Sequence, residues 1–131
     1  MKTTTIWKKE HRFTSYQDHN SIDIDGSRQH GISPKSLLLS GLAGCSGIDV
    51  VDILTKMRVH FSDLEIDAET TQTEENPKVF KEIHLTYKVK TANGNRDKVK
   101  KAIDLSLEKY CGVSAMLKKN SPIDYSILIK E

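Results

Sequence analysis

The chain has 131 residues, 37% of them hydrophobic and 29% charged, with 20 basic against 18 acidic side chains and a formal net charge of +2. That is one domain's worth of chain, too apolar for disorder and too polar for a membrane protein. The charges are interspersed, without the clustered basic face of a dedicated nucleic-acid binder. Lys98, Lys100, Lys101, Lys118 and Lys119 read as solvated helix faces.

The first nine residues lack the apolar core of a secretory signal, which points to the cytoplasm. Three strand-like runs follow one another: Thr3 to Lys8, Arg12 to Tyr16, and Ser21 to Asp25, where Ile22 and Ile24 alternate with polar neighbours. Asp18-His19-Asn20 and Asp25-Gly26-Ser27 are turn signals between and after them. The pattern predicts a short antiparallel meander.

Ser33-Pro34 then marks a helix start, with serine as the cap and proline in the first helical position. Helical character persists from Leu37 to Met57, and Leu37, Leu38, Leu39, Leu42, Ile48, Val51 and Leu54 cover more than one face. A helix apolar nearly all round is a buried helix. A chain this small cannot easily surround it, so a partner subunit is expected to cover the rest. The longest uncharged stretch, Ser36 to Ile48, has 13 residues. A bilayer span needs ~20, so no membrane segment is expected. Gly41, Gly44 and Gly47 recur along this helix, although each costs about 1 kcal/mol relative to alanine there. They suggest close backbone approach or room for a ligand.

Beyond Arg58 the period returns to two. Leu64, Ile66 and Ala68 alternate with acidic residues, and Ile83, Leu85, Tyr87 and Val89 alternate with His84, Thr86 and Lys88. Both runs read as half-buried strands, separated by a turn at Asn76-Pro77. Val99, Ala102, Ile103, Ser106 and Tyr110 mark an amphipathic helix that Gly112 could interrupt. A short helical piece over residues 113–119 and a last strand through Tyr125, Ile127 and Ile129 complete the chain. The expected fold class is α+β with an antiparallel sheet, over one domain spanning residues 1–131.

The two cysteines, Cys45 and Cys111, make an improbable structural disulfide in a reducing compartment. The histidines at 11, 19, 30, 60 and 84 include no His-x-His or His-x3-His pair, so no metal is called for. Cys45, deep in the glycine-rich helix, reads either as a small inert hydrophobe or as a reactive thiol needing a nearby cation. Cys111 precedes a glycine at a helix break. It reads either as a residue packed under Tyr110 or as a thiolate favoured by the next helix N-terminus.

The segment Ser-Pro-Lys-Ser-Leu-Leu-Leu-Ser-Gly-Leu-Ala-Gly-Cys-Ser-Gly-Ile-Asp-Val-Val (33–51) resembles the central helix of the OsmC/Ohr family, the osmotically inducible and organic hydroperoxide resistance proteins. In that family a proline opens the helix and a cysteine follows 11 positions later, as Pro34 and Cys45 do. Residues 102–117, containing Cys111 and Ser114, are similar to the family's second cysteine motif, Cys-x-x-Ser at a helix break. The resemblance implies an intertwined homodimer with the central helices buried and the sites at the interface. It also implies a thiol-dependent peroxidase acting on organic hydroperoxides, with no metal or prosthetic group. Cys45 would be the peroxidatic cysteine and Cys111 the resolving one, condensing to a Cys45–Cys111 disulfide that a dithiol reductant, lipoyl-type in several members, restores.

The chain departs from the family pattern in two places. Ser36 stands where the peroxidases carry a glutamate, and the activating arginine has no matched position, Arg12 and Arg28 being candidates and Lys35 a conceivable substitute cation. The wording around both cysteines looks like a divergent OsmC-like subgroup. The alternative functions are therefore an OsmC-fold dimer that binds a small apolar ligand at its interface, or a structural dimer with inert thiols.

Overall fold

The computed structural model describes residues Met1–Glu131. Three strands open the chain: β1 (Thr4–Lys9), β2 (Arg12–Gln17) and β3 (Asn20–Asp25), antiparallel in that order. The tight connections take left-handed backbone at Glu10 (φ 51°) and Asp18 (φ 54°), and aspartate tolerates that region better than most residues. Register places Trp7, Phe13 and Ile24 across from one another, with Ile22 opposite Ser15 on the same face. Trp7, Phe13 and Ile22 are exposed there. The expected meander is present.

Asp25, almost fully buried, closes this region. Its carboxylate accepts from the Ser27 hydroxyl (2.7 Å), the Ser27 N–H (2.9 Å) and the His30 N–H (3.0 Å). The Ser27 hydroxyl, followed by the Ser27 N–H, holds the carboxyl well below the usual carboxylate range against the opposing effect of burial. A depressed folded-state value contributes stability that is present above the unfolded aspartate value of ~3.9 and is lost as pH falls towards the folded one. The stability gap between the wild type and Asp25→Asn, measured by urea unfolding, is therefore expected to narrow steadily below about pH 4. A gap independent of pH would contradict this account.

Ser33 and Pro34 open the helix as expected: α1 runs from Pro34 to Lys56, 23 residues. The chain divides into two compact units, Met1–Leu39 and Ser40–Glu131, and the boundary falls within α1. By length and composition alone α1 could cross a membrane. It nevertheless carries Asp49 and Asp52 and buries Leu42, Ser46, Val50 and Leu54 within the chain. Those four lie at successive i+4 positions, so one stripe is covered. The rest of the helix is not covered by this chain: Leu38, Ile48 and Val51 are exposed, Ile48 to 66%.

The second unit adds β4 (Ser62–Gln72), β5 (Phe80–Lys90), α2 (Arg96–Leu105), α3 (Gly112–Leu117) and β6 (Ile123–Lys130). The sheet order is β4-β5-β6. Ile83, Leu85, Tyr87 and Val89 of central β5 are all buried, as their alternation predicts. With Leu42, Val50, Leu54, Val99, Ala102 and Ile103 they make the core. β4 pairs antiparallel with β5, but β6 runs parallel to it, which corrects the expectation of a wholly antiparallel sheet. The reason is the helical crossover between them. Parallel neighbours need a connection of a dozen residues or more, and α2 and α3 supply one.

Candidate functional site

α1 presents Cys45 half-buried, with Ser46 beside it fully buried. The glycines of that helix divide by environment. A Cβ at Gly47 would come 3.1 Å from Ile66 Cδ1, so Gly47 is a close approach to β4, whereas Gly41 and Gly44 face open space. Beside them lies an apolar groove of about 560 Å³, lined by Ala43, Gly44, Gly47, Ile48, Val51, Leu64 and Ile66 with Asp52.

Cys111 is positioned by an irregularity. At Ser106–Tyr110 the helix that follows α2 widens into a π-helical turn, and the Cys111 N–H donates to the Ser106 carbonyl at 2.7 Å, five residues back. Such turns are rare and recur at functional sites. The widening also takes Tyr110 out of the 3.6-residue phase kept by Val99, Ala102 and Ser106. Tyr110, expected on the buried stripe, is 54% exposed.

Cys111 itself, 3% exposed, adopts extended backbone (φ −77°, ψ 105°) and caps the N-terminus of α3. Its Sγ accepts from the Ser114 N–H at 3.3 Å. The expected favouring of a thiolate by that helix end does not prevail. Burial pushes the Cys111 thiol up, and the bonds from Ser114 oppose it without overcoming it. The neighbouring Cys45 adds to the upward push. The two residues singled out in the sequence thus meet in the second unit.

Around them runs a buried polar chain that spacing alone did not reveal. Ser46 Oγ lies 2.6 Å from the Tyr87 hydroxyl and 2.9 Å from Ser106 Oγ, and Ser106 Oγ lies 2.9 Å from an Asp49 carboxylate oxygen. A carboxylate only accepts, so Ser106 donates to Asp49. Each hydroxyl has one proton. Ser106 is also the donor towards Ser46, so its one proton is shared between the two acceptors. Burial is the main reason the Tyr87 hydroxyl is pushed up to about 12, with the Ser46 bond opposing it. The Tyr87 ring meets Tyr125 edge-on at 6.0 Å, and the Tyr125 hydroxyl donates to Asp104, which pairs with Lys100. The available sequence signal was the presence of Ser106 and Tyr87 on otherwise apolar stripes, since buried polar groups need partners.

The remaining candidates lie in the first unit. Ser36 Oγ is 2.7 Å from Ser33 Oγ at the start of α1, so this side chain is engaged in the helix entry. Arg12, at the start of β2, lines a cavity with His11, Asp25 and His30. Arg28 is exposed, in left-handed backbone (φ 61°), with its N–H on the Asp25 carbonyl.

Comparison with known proteins points one way. A family model described as OsmC-like protein matches residues 25–126. Protein YhfA of Escherichia coli is 40% identical over 108 residues, covering 82% of this chain and 81% of that protein. An OsmC-like protein from Mycoplasma pneumoniae superposes with a TM-score of 0.86 at 19% identity, over 99% of this chain and 96% of the other. The organic hydroperoxide resistance protein OhrB of Bacillus subtilis superposes with a TM-score of 0.62 at 23% identity, over 98% and 96%. At those identities the two structures show a shared fold.

Proposed function

As this chain belongs to the OsmC-like protein family, we propose that it is a cytoplasmic, thiol-dependent peroxidase that reduces organic hydroperoxides. The observation that carries the reading is that Ser106 bonds both the Cys111 N–H and the hydroxyl of Ser46, the residue after Cys45, so that a half-buried and a buried cysteine are brought near each other. The more accessible partner suits the attacker and the enclosed one the resolver.

In the proposed cycle the Cys45 thiolate attacks the peroxide O–O bond. Sulfur gives up two electrons, the distal oxygen stays on it as a sulfenic acid, and the alkoxide leaves with a proton as the alcohol. Cys111 then displaces hydroxide from Cys45, which leaves with a proton as water, and the Cys45–Cys111 disulfide forms. A dithiol reductant, of the lipoyl class, reopens it by exchange and becomes a disulfide itself. The chemistry uses only sulfur.

A homodimer is part of the proposal. The exposed face of α1, with Leu38, Ile48 and Val51, is an apolar surface that a second copy would cover. The open space at Gly41 and Gly44 leaves room for another helix backbone. A second reading is favoured by the same groove and by the engagement of Ser36 at the helix start: a small apolar ligand held at the interface without peroxidase activity.

The test is bridge formation. One equivalent of an organic hydroperoxide added to the reduced protein is expected to remove two hydrogens from the intact monomer mass. Because the Cys111 thiol is held above its ordinary range, its thiolate is scarce at neutral pH, and the condensation is expected to quicken as pH rises beyond ~8.5. A condensation already at its full rate at pH 6 would contradict the role given to Cys111. Failure to bridge at any pH, with both thiols alkylatable after unfolding, would leave the ligand-binding reading in its place.

A further inference from the structure

Ser106 stands where α2 gives way to the π-helical turn, and it holds two things at once. Its carbonyl takes the Cys111 N–H at 2.7 Å. Its hydroxyl lies 2.9 Å from Ser46 Oγ, on the residue directly after Cys45. We propose that Ser106 is a positioning residue for the thiol pair, tying α1 to the π-helical turn so that Cys45 and Cys111 are held as neighbours. The inference rests on reading the two cysteines as a redox pair, and not on the oxidant being a peroxide.

The clamp is rigid for stated reasons. Ser46 and Ser106 are fully buried, as is Tyr87. The Ser106 hydroxyl is held by both Ser46 and Asp49, and the Ser46 hydroxyl by Ser106 and Tyr87. Removing the Ser106 hydroxyl cuts both bonds from the turn to α1, at Ser46 and at Asp49, and buried polar groups move to recover lost bonds. A shift of α1 against the turn would separate the sulfurs. Effective concentration between two reacting groups falls steeply with such misplacement.

Equilibration with a glutathione redox buffer tests this. The thiol pair gives up two electrons and two protons as the sulfur–sulfur bond forms, and one glutathione disulfide takes them up to become two glutathiones. The bridged fraction, read from the intact mass, yields an equilibrium constant. Ser106→Ala is expected to lower that constant roughly fivefold to tenfold, and Ser46→Ala by about threefold, because Ser106 then keeps its bond to Asp49 of α1. The double variant is expected to be no worse than Ser106→Ala, which already removes both bonds from the turn to α1. A serine that only supports the fold would weaken the bridged and reduced forms alike and leave the constant in place.

Should Ser106→Ala fail to fold, Ser46→Ala and Asp49→Ala each remove one of its two bonds from the α1 side. Constants within about twofold of wild type in a folded variant would overturn the proposal, given the size expected of a lost buried hydrogen bond. So would a wild-type chain that forms no bridge with glutathione disulfide. A chain that bridges with glutathione but consumes no hydroperoxide would keep this inference and lose the peroxidase reading.

Discussion

Replacing Cys45 by serine is expected to abolish consumption of an organic hydroperoxide, whereas Cys111→Ser should consume one equivalent per chain and stop. The asymmetry follows from the proposed order of events. Without the Cys45 sulfur nothing attacks the peroxide, since a serine hydroxyl is a poor nucleophile at neutral pH. Without Cys111 the attack still occurs, but the sulfenic acid has no neighbouring thiol and persists or is oxidised further. Cys45 is half-buried and Cys111 buried, so the exchange of roles is disfavoured by access as well as by chemistry. The measurement is hydroperoxide loss against protein added, with the mass of each variant showing one added oxygen on Cys111→Ser and none on Cys45→Ser. Equal retention of turnover in the two variants would refute the assignment.

The second large effect concerns assembly. Wild-type protein is expected to sediment at low micromolar concentration with about twice the mass of the 14.8 kDa chain. Ile48→Glu is expected to sediment as a monomer. Ile48 lines the apolar groove and is 66% exposed within one chain, so the substitution leaves the core of that chain intact. Surface changes of this kind alter monomer stability by only about 0.5 kcal/mol. At an interface the same carboxylate must be dehydrated, which costs several kcal/mol, enough to weaken association roughly 100-fold or more. A monomeric wild type, or a variant as dimeric as wild type, would remove the second copy from the proposed function.

How far the sequence was legible depended on whether the determinant was local. Ser33-Pro34 announced the start of α1 because a cap and a fixed φ act within one turn. The alternation from Ile83 to Val89 announced a buried strand face for the same reason. The direction of β6 was not legible. Alternation is identical in parallel and antiparallel strands, and the crossover that decides between them is a tertiary event. Tyr110 was misplaced because its phase depends on the Cys111 N–H pairing with Ser106, a choice of one residue in bond length that no periodicity records. The environment of Cys111 was read from its helix end alone, and burial outweighed that end. Ser46 and Ser106, 60 positions apart, carry no mutual signal in the chain. Only their appearance among apolar neighbours marked them as residues requiring a partner.

The sulfur of Cys111 is also the atom that caps α3, accepting the Ser114 N–H. In the proposed cycle this one atom changes its basicity with each step, because a thiolate attracts an amide proton strongly and a disulfide sulfur only weakly. The six-residue helix behind it has little hydrogen bonding of its own to fall back on. Its grip on the chain therefore rises and falls with the oxidation state of the cysteine in front of it. On that cycle a chemical event at sulfur would pass directly into the backbone order of α3.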